Sequence, residues 1–141
     1  MTRFPLDETE QTFELTGNLL TLHTDSAARC VPFAERARVD ADWIVGIKPV
    51  SDGSTVHADY WERHPRGEEI LCLLAGQVEI ILSCEGGSER SVLLHAGQGF
   101  IVPRGNWHRL RVQQAGKLMF ITPSQGSEHR RVGSADLEAQ P

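Results

Sequence analysis

The sequence predicts an all-β domain of antiparallel strands, and two observations carry that reading. Short apolar stretches rich in Val, Ile, Leu and Phe recur along the chain, while long runs at helical spacing are scarce. Between them fall segments containing Gly, Pro, Asn and Asp, the residues that reverse a chain. Short strands at regular spacing with Gly-rich turns pack as a sandwich or a barrel, and the jelly roll is one such solution. At 141 residues the chain makes a single domain with enough core to fold without staples. It contains no internal repeat.

Taken in order, residues 13–15 and 19–23 flank Gly17-Asn18, a two-residue turn signal that predicts a hairpin. Residues 33–39 follow Pro32 and suit one or two helical turns. Residues 43–49 form a strand ended by Pro49, and 51–53 form a loop. A strand over 54–63 would place Val56, Ala58, Tyr60 and Glu62 on one face. Residues 70–74 would turn at Ala75-Gly76 and return over 78–82. Glu85-Gly86-Gly87-Ser88 is a hairpin turn into 90–94. In Val102-Pro103-Arg104-Gly105, Pro at the second and Gly at the fourth position fit a type I turn, which would deliver His108 to the inner wall ahead of a strand over 110–112. Residues 118–122 close the sheet before Pro123. The domain thus divides into N-terminal strands and arm over 1–53, a core over 54–123, and a polar arm or disordered tail over 124–141.

Composition narrows the function. A net charge of −5, with Lys and Arg scattered, argues against nucleic acid or an acidic membrane as partner. No apolar run nears a membrane span, and the first residues lack the apolar core of a signal peptide. Cys30, Cys72 and Cys84 form no Cys-x-x-Cys pair and leave an odd thiol, which suggests a reducing, cytoplasmic setting. No Ser-His-Asp arrangement or phosphate loop is present.

Two stretches concentrate the chemistry. The first runs Glu62-Arg63-His64-Pro65-Arg66-Gly67-Glu68-Glu69, then six residues to Gly76. The second runs from Gly97 through five residues to Pro103, then Gly105, then two residues to His108. Residues two apart on a strand share a face, so Glu62 and His64 point the same way. A carboxylate inside a barrel is costly unless paired or bound to a cation, and a divalent ion with imidazole neighbours supplies one to Glu69.

This spacing resembles the two signature motifs of the cupin superfamily. The first is matched at His64, Glu69 and Gly76, with Glu62 standing where a histidine normally sits; the second is matched in full by Gly97, Pro103, Gly105 and His108. The asparagine that often follows is replaced by Val112. The resemblance, over residues 55–122, implies a small antiparallel jelly-roll β-barrel, a homodimer, and a divalent transition ion (Fe, Mn or Zn) held by Glu62, His64, Glu69 and His108.

Replacing one histidine by Glu62 makes a two-His, two-Glu site neutral around a divalent ion, where three His and one Glu would leave it at +1. That favours harder ions and raises the pKa of ion-bound water. Glu62 could instead stand beside the ion as a base or hold a basic part of a ligand. Glu68 fits the gap to Gly76 less well than Glu69 and reads as a solvent-facing charge. Tyr60 falls on the ligand face, as a substrate contact or a wall-filling aromatic. Trp61, Arg63 and Trp107 should point away from the ligands, Cys72 reads as a core thiol, and His23, His57, His95 and His129 have no motif support. The expected function is a metal-dependent enzyme on a small polar organic molecule, with oxygenase chemistry leading. The alternatives are a metal-dependent isomerase or epimerase and a non-catalytic small-ligand binding or sensing protein. No catalytic residue beyond the ligands is assigned.

Overall fold

The computed structural model describes residues 12–133, so the ends of both expected arms, 1–11 and 134–141, lie outside the described residues. Among the described residues, nine strands form one sheet in which every ladder is antiparallel: β1 (Asn18–Leu22), β2 (Ala28–Pro32), β3 (Trp43–Val50), β4 (Tyr60–Arg63), β5 (Glu69–Ser83), β6 (Glu89–His95), β7 (Gly99–Val102), β8 (His108–Pro123) and β9 (Glu128–Arg131).

The frame is the long pair β5–β8. The first half of β5 pairs on its other side with β7 and the second half with β6. On the far side of β8, the start meets β4 and the end meets β3, which carries β1 and β2 outward. Alternation turns Leu71, Leu73, Val78, Ile80, Leu82 and Leu118 into the main apolar core. Trp61, Ile81 and Trp107, on the opposite phase, form a separate buried cluster, and the Arg63 guanidinium lies 4.6 Å from the Trp107 ring centroid.

The expected reversal at Gly76 does not occur. The chain runs on as a single 15-residue strand, with register shifts between Leu73 and Val78. Gly76 has φ +91°, and a Cβ there would meet the Gln114 and Ala115 carbonyl oxygens at 2.5 and 2.7 Å. The glycine therefore makes a bulge at which β5 changes partner. Likewise the segments expected at 110–112 and 118–122 belong to one 16-residue strand.

Three smaller expectations also shift. Residues 13–15 make no strand; the hairpin is β1–β2, closed where Ala27 N bonds the Asp25 side chain at 3.0 Å. The strand over 54–63 shortens to β4, because the Asp52 carboxylate captures the Ser54 and Thr55 amides and winds the chain into turns. Pro49 does not end β3, which continues to Val50. The 3-10 helix Phe33–Arg38 realises the expected helical turns. The C-terminal segment contributes β9, which pairs along the whole of β4.

Candidate metal centre

Two of the four motif residues, Glu69 and His108, open strands, and the other two, Glu62 and His64, stand at the end of β4. Glu62 lies in β4 directly opposite His108, the first residue of β8, and Glu69 is the first residue of β5. His64 follows β4, its carbonyl accepting from Gly67 N at 3.3 Å and Gly105 N at 3.1 Å, so the two motifs are tied through the backbone. The turn that delivers His108 is Pro103–Asn106, closed by Asn106 N to Pro103 O at 3.1 Å. Gly105 has φ +73° at its third position, which is the requirement of a type II turn rather than the expected type I.

The donor atoms of Glu62, His64, Glu69 and His108 lie within 4.8 Å of one another. His64 Nε2 is 3.0 Å from Glu62 Oε1 and 3.4 Å from Glu69 Oε2, and His108 Nε2 is 2.9 Å from Glu69 Oε1. His64, Glu69 and His108 are buried, whereas the Glu62 side chain keeps 34% of its exposure and faces the cavity. Glu68 is exposed, in agreement with its solvent-facing reading.

The outward atoms are held as well. Thr122 Oγ1 donates to Glu69 Oε2 at 2.6 Å. His64 Nδ1 meets Ser127 Oγ at 2.8 Å, and His108 Nδ1 donates to the Asn106 carbonyl at 3.2 Å. With Nδ1 donating to the Asn106 carbonyl, a neutral His108 would aim its Nε2 lone pair at an anionic Glu69 oxygen. A cation between them removes that conflict, which is how imidazole ligands are usually oriented around an ion. The donor set therefore fits a divalent transition ion.

In the metal-free chain the two carboxylates favour a proton on His64. Burial pushes His64 down, but hydrogen bonds to Glu62 and Glu69 and the charges of both carboxylates outweigh it and raise the imidazole to about 9. Burial pushes Glu69 up, yet the hydrogen bonds from His108 and His64 hold it well below the carboxylate range. Glu62 is likewise opposed by burial and held low by His129 and then His64.

The cluster opens on a cavity of about 410 Å³ that Tyr60 also lines, as its place on the ligand face predicts. Three contributors lack any signal near the motifs. His129, on β9, bonds Glu62 Oε2 at 2.7 Å, Ser127 supports His64, and Lys48 lines the cavity from β3. Lys48 keeps the inward phase of Ile44, Gly46 and Val50.

The Cupin domain family matches residues 49–133. Among solved structures, a cupin-2 domain containing protein of Shewanella frigidimarina is 20% identical over 60% of this chain and 74% of its own, with a TM-score of 0.46. The Mn(II)-centred oxalate decarboxylase of Bacillus subtilis is 14% identical over 64% of this chain, with a TM-score of 0.50; the match spans 24% of that enzyme. An oxalate oxidase in complex with glycolate is 18% identical over 62% of this chain and 45% of its own, with a TM-score of 0.48. No curated protein matches. At 14% identity the likeness to the decarboxylase speaks to the fold alone. The family match covers more than half of the sequence and contains both motifs, and the chain belongs to the cupin family.

Proposed function

We propose that Glu62, His64, Glu69 and His108 hold one divalent ion, Fe, Mn or Zn, and that the protein is a metal-dependent enzyme acting on a small polar organic molecule. The observation that carries this is the convergence of four donors, two imidazole and two carboxylate, at one end of a cavity large enough for a small ligand. Two His with carboxylate ligands and open positions suit Fe(II) and oxygen-dependent oxidation, the leading chemistry here. Glu62 completes a neutral ligand set, with its second oxygen fixed by His129. His64 and His108 bind as neutral imidazoles, oriented through Nδ1 by Ser127 and the Asn106 carbonyl. Thr122 holds Glu69 in place, and Tyr60 borders the substrate.

The same reading takes the two wings around β5–β8 as the faces of a jelly-roll barrel and the protein as a cytoplasmic homodimer. Exposed apolar side chains on β6 and β7, Leu93 and Ile101, support pairing through strand faces. The function is tested by loading untagged protein with Fe(II) and following oxygen uptake with a panel of small hydroxy, keto and phenolic compounds. Substrate-dependent uptake that disappears in His108→Ala is the expected result. No uptake with any compound by protein containing stoichiometric iron would remove the oxygenase reading.

A further inference from the structure

We propose that the cavity takes a small organic carboxylate, with the Lys48 ammonium holding the anionic end while the rest of the molecule is turned toward the Glu62–His64–Glu69–His108 cluster. This rests on the metal reading of that cluster and adds the class of ligand.

The starting point is a charge on the wrong face of a strand. In β3, Ile44, Gly46 and Val50 point inward and are buried, and Lys48 shares their phase. An inward lysine among apolar neighbours is costly and rare unless it has a partner. Among the described residues no carboxylate pairs with it: the salt bridges of the chain involve Arg63, Arg109, Arg111 and the histidines of the site. Its ammonium lies over a ring face, with Nζ 6.0 Å from the Phe120 centroid.

That ring is placed deliberately. Gly46 lies opposite Phe120 in the β3–β8 ladder, and a Cβ on Gly46 would collide with the ring. The absent side chain lets Phe120 fill the wall between Lys48 and the Glu69–Thr122 end of the cavity. Lys48 also senses the cluster: burial lowers its pKa, and the fields of Glu62 and Glu69 oppose that.

Charge counting gives the ligand's sign. Two carboxylates neutralise a divalent ion, which leaves Lys48 as a positive charge inside the cavity, with Arg36 and Arg109 also lining it. A ligand that supplies one carboxylate satisfies Lys48, and its hydrocarbon part packs on Leu118 and Phe120. Phosphate, doubly charged and strongly hydrated, fits the apolar wall beside Lys48 poorly.

The experiment compares straight-chain carboxylates from acetate to hexanoate with their uncharged amides and with inorganic phosphate, on the Zn(II)-loaded full chain, by NMR titration. The carboxylates should bind at least about tenfold tighter than the matched amides, from the strength of a charge-assisted hydrogen bond. Lys48→Met should erase that preference, Lys48→Arg should keep most of it, and zinc content should be unchanged in both. Three results would overturn the proposal: no carboxylate preference in the wild-type protein, preference retained in Lys48→Met, or phosphate preferred to every carboxylate. Loss of zinc in Lys48→Met would also overturn it, by making Lys48 a counter-charge of the cluster. Zinc content is read separately. Protein that holds no zinc yet prefers carboxylates through Lys48 would sink the metal reading and not this one.

Discussion

Metal binding should release a proton near neutral pH, because the ion and a proton compete for one nitrogen. In the metal-free protein His64 sits at about 9, lifted by the two carboxylates that share its Nε2. Ligation requires the neutral ring, so the apparent affinity should rise with pH by about tenfold per unit below that value and level off above it. From pH 7 to the plateau the gain is about 100-fold, equal to about 2.7 kcal/mol. A histidine at its ordinary value of about 6.5 would give a change of only about 1.3-fold over the same range. The assay is competition for Zn(II) against a chromophoric chelator between pH 6 and 9.5, with calorimetry in buffers of different ionisation heat to count the proton. Close to one proton released per ion at pH 7.5 is the expected count. An affinity that is flat from pH 7 to 9 would refute the argument that Glu62 and Glu69 hold a proton on His64.

Further outcomes follow from the same contacts. Glu62→Ala should weaken ion retention by about tenfold or more, while Glu79→Ala, which only breaks a surface pair with Arg111 at 3.1 Å, should leave it unchanged. Glu62→His should keep the ion and add one positive charge, making ion-bound water more acidic, as a pH–rate profile would show. The metal-free protein should be most stable from about pH 5 to 6.5, with stability declining from there toward pH 9, read as melting temperature against pH. The sign follows from the shifts: the raised His64 stabilises below its unfolded value and loses that contribution as pH climbs through about 9, whereas the depressed Glu62 and Glu69 lose theirs as pH falls below the ordinary carboxylate range. Gly76→Ala should cost about 3 kcal/mol or more in denaturant unfolding, from the positive φ and the clash with the Gln114 and Ala115 carbonyls.

The convergence of Glu62, His64, Glu69 and His108 could be read from the sequence because the two motifs fix it locally. Glu62 and His64 share a strand phase, and the Pro103–Gly105 turn hands His108 to the wall beside them. What escaped is what the chain assembles from a distance. His129 and Ser127 reach Glu62 and His64 from a segment that composition marks only as polar, and Thr122 comes from the far end of β8. Strand lengths were misjudged for a related reason. A glycine with positive φ can turn a chain or bulge it, and only the neighbouring strand decides; at Gly76 the close Gln114–Ala115 backbone keeps β5 going. In the shortened β4, the Asp52 side chain outcompeted a strand pattern that Val56 and Ala58 had suggested. Lys48 also escaped, since Trp43, Val45 and Ile47 make the opposite phase of β3 the more apolar in sequence, and only the fold places Lys48 in step with the buried Ile44, Gly46 and Val50.

The central claim, an ion held by these four side chains, is tested most directly by elemental analysis of untagged protein offered Fe(II), Mn(II) or Zn(II) and then desalted. The wild-type chain should retain one ion. The double variant His64→Ala, His108→Ala should retain none while its circular dichroism still shows the β-fold, because strand pairing and apolar packing carry most of the stability. A wild-type chain that keeps none of the three ions, or a double variant that keeps one ion per chain, would contradict the account.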